Sequence, residues 1–564
     1  MKSFYRTLIG LALLSSCMKG QKVDLIVHNA EIHCMDDLNS TAEAMAIRDG
    51  KIIELGPERQ ILNKYRSEES IDAQGKQVYP GLTDAHGHML MYANQLLGID
   101  LRGVRSEQEM LHRCEQYKAT HPNLKMLVGR GWDQSLWAGQ QMPTNTELNQ
   151  LFPDIPVCLY RIDGHAALIN DFLIKKSKLV EKLPSLKGGE VVFHTVQMDP
   201  RIKYPRNLSL PKNSNFGEKI ILQTPQPTGL IIDNAMNLVQ AFIPDYSKND
   251  YLKALLQVQE ELLQFGITGV HEAGIDFKHI AWFKHLMKTG QLQLNIYAML
   301  MDSPVNRKFA KRHGPYYYKN LSIRSFKCFA DGALGSRGAL LKAPYHDHPE
   351  SSGLLLTDVA HMKDLAQFCL KHGYQMNTHS IGDSANALVL EIYAKVFKQK
   401  PDHRFRIEHA QVIDPKDFQK FAQFAVFPSV QPTHAVSDAD WVEARLGKER
   451  LKGAYAYRSL LQQFGMVALG TDFPVEATNP FKTIEAALQR PAQEALTLDE
   501  ILKGMTIWPA FAAFQEKYIG TLEKGKHATF VIFDQPMSAQ GGQAQNYAWR
   551  TFIKGKCVFK LEAL

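Results

Sequence analysis

Tyr79-Pro80-Gly81-Leu82-Thr83-Asp84-Ala85-His86-Gly87-His88 is the stretch on which the reading of this chain turns. An apolar run passes through Pro-Gly into two histidines at i and i+2. That is strand spacing, which sends both imidazoles to one side at the end of a strand. Such a pair is half of a metal site.

The rest of the chain supplies the other half one residue at a time, each near the C-terminal end of a strand-like run. Lys327 stands in Arg324-Ser325-Phe326-Lys327-Cys328-Phe329-Ala330-Asp331-Gly332, His379 in Gln375-Met376-Asn377-Thr378-His379, His409 in Arg406-Ile407-Glu408-His409-Ala410, and Asp472 in Val467-Ala468-Leu469-Gly470-Thr471-Asp472. The order His-x-His, Lys, His, His, Asp is far more specific than any of its members.

Residues 124–129, 157–161, 267–271 and 294–300, together with the runs just quoted, read as strands. They alternate with segments such as 251–265 and 383–397, whose apolar residues recur at helical spacing. Alternation of this kind over residues 81–506 predicts a parallel sheet closed into a TIM-like (β/α)8 barrel, an α/β fold whose chemistry sits at the C-terminal ends of the strands. Both termini differ from it. Residues 22–80 are short β-rich runs with a hairpin signal at Asp49-Gly50, and residues 507–564 have the same character. Neither end has strand enough for a sheet of its own, so one small β-sandwich built from both is expected. Residues 178–222, polar and interrupted by Pro and Lys, read as an insertion near the mouth of the barrel.

The words around these residues resemble the amidohydrolase superfamily, and within it the amidohydrolase 3 branch that includes N-substituted formamide deformylases. They are Gly131-Trp132-Asp133-Gln134, Asp163-Gly164-His165-Ala166-Ala167, Pro227-Thr228-Gly229-Leu230, His379-Ser380-Ile381-Gly382-Asp383, Arg406-Ile407-Glu408-His409-Ala410-Gln411, Gln431-Pro432-Thr433-His434 and Gly470-Thr471-Asp472-Phe473-Pro474-Val475-Glu476. Ser380 and Leu168 depart from the branch's usual wording. The resemblance runs through nearly the whole chain after the first twenty residues. It implies a metal-dependent hydrolase of C–N bonds that acts on an N-acyl or N-formyl amine or a cyclic amide.

Imidazoles and a carboxylate suit zinc better than calcium, which prefers all-oxygen shells. His86, His88 and Asp472 are expected to hold a first ion, and His379 and His409 a second. An ammonium cannot face two cations, so Lys327 must be altered or turned away. The resemblance implies a carbamate formed with carbon dioxide that bridges two metals; the alternative is an ion pair with Asp331 and a single metal. A water molecule at such a centre is acidified toward hydroxide, and Asp472 is then the general base and acid, against a structural reading as a helix N-cap. His165 is expected to hydrogen-bond the developing oxyanion or else to be a satisfied core imidazole. Trp132, Asp133 and His434 are expected at the substrate, and Asp331, Glu408 and Asp383 behind the ligands. Two rival functions are a mononuclear heterocycle deaminase, disfavoured by Lys327 and by the lack of a Glu soon after His379, and a non-catalytic ligand-binding surface lipoprotein.

The formal net charge of +7 over 564 residues is scattered, with no basic run interleaved with aromatics, so no nucleic-acid role is expected. A small molecule is the expected partner, and homo-oligomerisation stays open. Residues 1–17 carry Lys2 and Arg6, then Leu8 to Leu14, too short to span a bilayer, and then Leu14-Ser15-Ser16-Cys17, which resembles a lipoprotein cleavage box. Export with lipid on Cys17, and attachment to the membrane through that lipid alone, is expected; plain secretion or a periplasmic location is the alternative. The other six cysteines are widely spaced, without the density of a disulfide scaffold.

Overall fold

The computed structural model describes residues 20–194, 226–244, 246–397, 402–538 and 547–562. The signal-like segment with Cys17, and the larger part of the expected insertion at 178–222, lie outside the described residues. The chain divides into two compact units. One comprises residues 1–83, 262–269 and 502–564, the other residues 84–261 and 270–501.

In the first unit both termini feed one mixed sheet. Its order is Lys556–Lys560, Arg550–Ile553, Phe530–Phe533, Glu69–Pro80, Leu25–His33, Ala44–Arg48, Lys51–Gly56, with Thr41–Ala42 paired to Leu25–His33. The termini meet where Phe530–Phe533 runs antiparallel to Glu69–Pro80, Val531 opposite Tyr79. Leu25, Val27, Ile47, Ile71, Val78, Phe530, Ile532 and Phe552 alternate along their strands into one apolar core. The hairpin at Asp49-Gly50 has both residues at positive φ, 52° and 71°, as the tight two-residue turn requires.

The second path of strands is the barrel. We label its strands β1 (Leu82–Gly87), β2 (Ile267–Ile275), β3 (Asn295–Met301), β4 (Leu321–Phe329), β5 (Gln375–Ser380), β6 (Arg406–His409), β7 (Phe427–Val430) and β8 (Ala468–Leu469), which are neighbours in that order. From β3 to β8 every pair is parallel. Hydrogen bonds just beyond the strand ends close the ring. The Thr471 hydroxyl donates to Asp84 Oδ2 at 2.7 Å, and the amides of Asp472 and His88 donate to the carbonyls of His86 and Phe473 at 2.7 and 2.8 Å. Helices Lys248–Gln264 and Asp383–Val396 fall where the periodicity predicted them.

One expectation is corrected. Leu127–Trp132 and Val157–Arg161 are not barrel strands. With Ile99–Asp100, Ala166–Ile169, Pro227–Asp233 and Gly189–Phe193 they form a six-stranded sheet of their own, inserted between β1 and β2. Each face has its own core, Leu127, Trp132, Leu159 and Ile232 on one side and Cys158, Ala167, Ile169 and Ile231 on the other. A strand covered on both faces reads as the same apolar run whichever sheet it enters. The expected insertion at 178–222 is thus one part of a much larger one.

Candidate metal centre

The six residues singled out by spacing meet at the C-terminal ends of β1, β4, β5, β6 and β8. His86, His409 and Asp472 are buried and bring one donor atom each to within 4.8 Å of one another. His88 Nε2 lies 3.0 Å from Asp472 Oδ1, and Lys327 Nζ lies 3.2 Å from His86 Nε2. The His379 ring packs against that of His409 with centroids 4.4 Å apart, while its Nε2 faces the Gly332 carbonyl at 3.4 Å. His409 stands close to His86 and Asp472, so the donors form one continuous cluster.

Backbone geometry makes this convergence possible. His409 and Asp472 are both left-handed, with φ of 75° and 60°. Glu408 and His409 are neighbours on a strand and would face opposite ways, yet both reach His86: Glu408 through Oε2 at 2.5 Å, His409 by ring contact with centroids 4.8 Å apart. The unfavourable φ at the strand end turns His409 back toward the site, local strain held by the surrounding fold.

The hydrogen bonds behind the imidazoles fix which nitrogen is bare. His86 Nδ1 donates to Glu408, and His409 Nδ1 donates to Gln431 Oε1 at 2.8 Å, so both present an unprotonated Nε2 to the cluster. Burial, with Lys327 nearby, lowers the His86 pKa to about 4. Burial likewise lowers His88, and carries His379 and His409 well below the usual range. Burial also lowers the Lys327 pKa to about 8, which makes the neutral amine far more accessible than in an ordinary lysine. Desolvation works against ionised Asp472, but His434 and His88 outweigh it and hold the carboxyl well below its ordinary value. Asp472 Oδ1 is buried and makes no well-aligned hydrogen bond; its near neighbours are the ring nitrogens of His88 at 3.0 Å and His86 at 3.6 Å, a crowding of donor atoms that a shared cation would account for. Neutral imidazoles, an ionised carboxylate with a poorly hydrogen-bonded oxygen and a deprotonatable amine fit a divalent metal ion.

A cavity of about 820 Å³ opens onto the cluster, lined by His88, Lys327, His379, His409 and Asp472 and by His165, Asp133 and His434. His165 is set by Asp233, whose Oδ1 accepts from Nδ1 at 2.6 Å. Burial pulls this imidazole down, yet Asp233 and Asp163 carry it above its usual value. His434 lies between Glu476, 3.1 Å from Nδ1, and Asp472, 3.6 Å from Nε2. Burial opposes its protonation, but the two carboxylates push its pKa up to about 10.

Several expectations about neighbours change. Trp132 does not line the cavity: it is wholly buried in the core of the inserted sheet and donates its indole N–H to the Leu159 carbonyl at 2.7 Å. Trp137 packs in the same core and donates its indole N–H to the Val104 carbonyl. Asp133 lines the cavity but is held by Arg161 at 2.6 Å. Asp331 does not pair with Lys327; its carboxylate takes the amides of Leu340, Ile381 and Gly382, although His379 Nε2 is 3.8 Å away. Asp383 accepts the Lys342 amide and orients no imidazole. Sequence reasoning missed Arg406, which sits wholly buried beside Glu408, with Nε 2.7 Å from Oε1, and donates to the Ala85 carbonyl and to Ser429. Its signal was present: Arg406 and Glu408, opposite charges at i and i+2, must share one face of a strand.

With the geometry in place, the amidohydrolase family matches residues 69–197 and 213–559. This chain belongs to the amidohydrolase family. The amidohydrolase is 30% identical to Protein LONG AFTER FAR-RED 3 of Arabidopsis thaliana, over 91% of this chain and 87% of that one. It is 25% identical to an N-substituted formamide deformylase of Arthrobacter pascens, over 95% and 98%. An uncharacterized metal-dependent hydrolase from Pyrococcus furiosus superposes with a TM-score of 0.68 at 25% identity, covering 91% of this chain and 99% of that one. The amidohydrolase is accordingly a metal-dependent hydrolase acting on C–N bonds.

Proposed function

We propose that this amidohydrolase hydrolyses the amide bond of an N-acyl or N-formyl amine or of a cyclic amide, with zinc as its metal. The observation that carries the reading is the meeting of bare imidazole nitrogens with the poorly hydrogen-bonded Asp472 oxygen at the floor of a substrate-sized cavity. Likeness along almost the whole chain to an N-substituted formamide deformylase supports the choice of bond.

His86, His88 and Asp472 would hold one ion, and His409 with His379 a second. Lys327, buried with a pKa near 8, is the amine that carbon dioxide can carboxylate, losing one proton and gaining an anionic carbamate for both ions. Zinc bound there supplies an acidified water and an electrophile for the carbonyl oxygen. The chain's own groups do the rest. Asp472 takes the proton of the attacking water and returns it to the departing nitrogen, so that amide and water become a carboxylic acid and an amine. His165, favoured as the imidazolium by Asp233, which takes its Nδ1–H, donates from its second N–H, at Nε2, to the oxygen on which charge develops. His434 keeps Asp472 ionised and faces the substrate. Export of the protein with lipid on Cys17 is part of the same reading, checked by the mass of the mature N-terminus; an unmodified terminus at another residue would dismiss it.

The test is amine release from a panel of N-formyl amines, N-acyl amines and cyclic amides by the zinc-loaded protein, beside Asp472→Asn. Release that vanishes in the variant supports amide hydrolysis at this centre. A fully loaded protein that cleaves none of the panel overturns it.

A further inference from the structure

The arginines that line the cavity are matched by carboxylates, with one exception. Arg161 is met by Asp133 and Asp163 at 2.6 and 2.5 Å, and Arg102 by Asp100 at 2.9 Å. Arg130 also lines the cavity, yet among the described residues its side chain has no ion-pair partner and no hydrogen bond, and its Nε is buried and unsatisfied. It stands near the end of Leu127–Trp132 in the inserted sheet, opposite Tyr160 and two residues after Val128, on a face whose other members are apolar. Its guanidinium lies 5.5 Å from the centre of the Tyr160 ring.

The chain makes room for this group. Gly164, at φ 73°, is placed so that a Cβ there would come within 2.4 Å of Arg130 Nη2, and the next residue is His165. A guanidinium carries five donors in a flat fork and cannot shed its charge at ordinary pH. Keeping it unpaired and partly buried is costly, and the cost is recovered when a ligand brings the missing anion. Lys482, exposed at the same cavity and without an ion-pair partner among the described residues, adds positive charge there.

We infer that Arg130 recognises a carboxylate on the substrate, so that the amide cleaved belongs to an anionic molecule. The carboxylate can lie on the amine side, as in an N-acyl amino acid, or on the acyl side, as in the monoamide of a dicarboxylic acid. This inference rests on the amide-hydrolysis reading for its chemistry but on Arg130 alone for its anion.

The zinc-loaded protein is given N-acetylphenylalanine and N-succinylbenzylamine, each beside a neutral counterpart, N-acetylphenylalaninamide and N-butyrylbenzylamine. The carboxylate-bearing member of at least one pair should be favoured in kcat/KM by roughly 100-fold, and Arg130→Gln should abolish that preference while sparing the neutral amides. Arg130→Lys, which keeps the charge and loses the fork, should fall between. Affinity for uncleavable isosteres, in which a methylene replaces the amide nitrogen, is measured alongside by calorimetry and should show the same dependence on Arg130. Equal treatment of anionic and neutral ligands by the wild type, or an equal loss on both in Arg130→Gln, overturns the inference even if amides are cleaved. If nothing is cleaved but the anionic isostere binds through Arg130, amide hydrolysis fails and the anion site stands.

Discussion

Glu408 Oε2 lies 2.5 Å from His86 Nδ1, and both side chains are wholly buried. The contact settles which His86 nitrogen faces the cluster, and it places a carboxylate between that imidazole and the Arg406 guanidinium. Burial alone would raise the Glu408 carboxyl, but Arg406 and His86 outweigh it and hold it below the usual range.

Replacing Glu408 by Gln should therefore weaken the metal centre without removing a ligand. Zinc affinity, measured by competition with a chelator, should fall about 10- to 100-fold, as for other groups that orient a ligating histidine. Glu408→Ala should also unfold more readily, by roughly 3–5 kcal/mol, because Arg406 would be left as an uncompensated buried charge. Unchanged zinc affinity in the Gln variant would mean that His86 is oriented without Glu408.

The carbamate proposed on Lys327 ties the number of bound ions to this residue. Wild-type protein prepared with bicarbonate should bind two zinc ions per chain and show the added mass of one carbon dioxide on Lys327. Lys327→Ala should bind fewer and lose most of its kcat. A single ion in both proteins, with no mass added to Lys327, would leave the carbamate without support.

Trp132 gives the opposite kind of prediction. Trp132→Phe removes the bond to the Leu159 carbonyl and leaves a small cavity in the inserted sheet. A stability loss of about 1–3 kcal/mol is expected in denaturant unfolding. The KM for any cleaved amide should stay within a factor of two or so, since the indole does not line the cavity; a tenfold rise would return Trp132 to the substrate.

Glu272 makes stability depend on pH. Its carboxylate accepts the amides of Met89 and Leu90 at the start of helix Met89–Leu96, and burial raises its pKa to about 8. A carboxyl raised in the folded state binds its proton more tightly there than in the unfolded chain. Its contribution is full below the unfolded value near 4.5 and is lost as pH rises toward 8. Thermal melts should decline over that window in the wild type, and Glu272→Gln should flatten that part of the curve. An identical pH profile in the variant would show that Glu272 does not titrate in this range.

Local pattern determined a good deal by itself. The alternation of apolar runs with helical segments, the left-handed turn at Asp49-Gly50 and the six residues at strand ends were all legible, because each depends on near neighbours in the chain. Only the tertiary structure decided which sheet a strand joined. Leu127–Trp132 and β3 have the same apolar character, yet one lies in the inserted sheet and the other in the barrel. Apart from the Arg406–Glu408 pair, the partners of the buried charges were equally beyond the sequence. Asp331, four residues after Lys327, turns to three backbone amides, whereas Glu408 reaches His86 across 322 positions, and Arg130 is left without an anion. Spacing fixes the direction in which a side chain leaves its strand. What it meets there depends on the packing of distant segments, which periodicity does not encode.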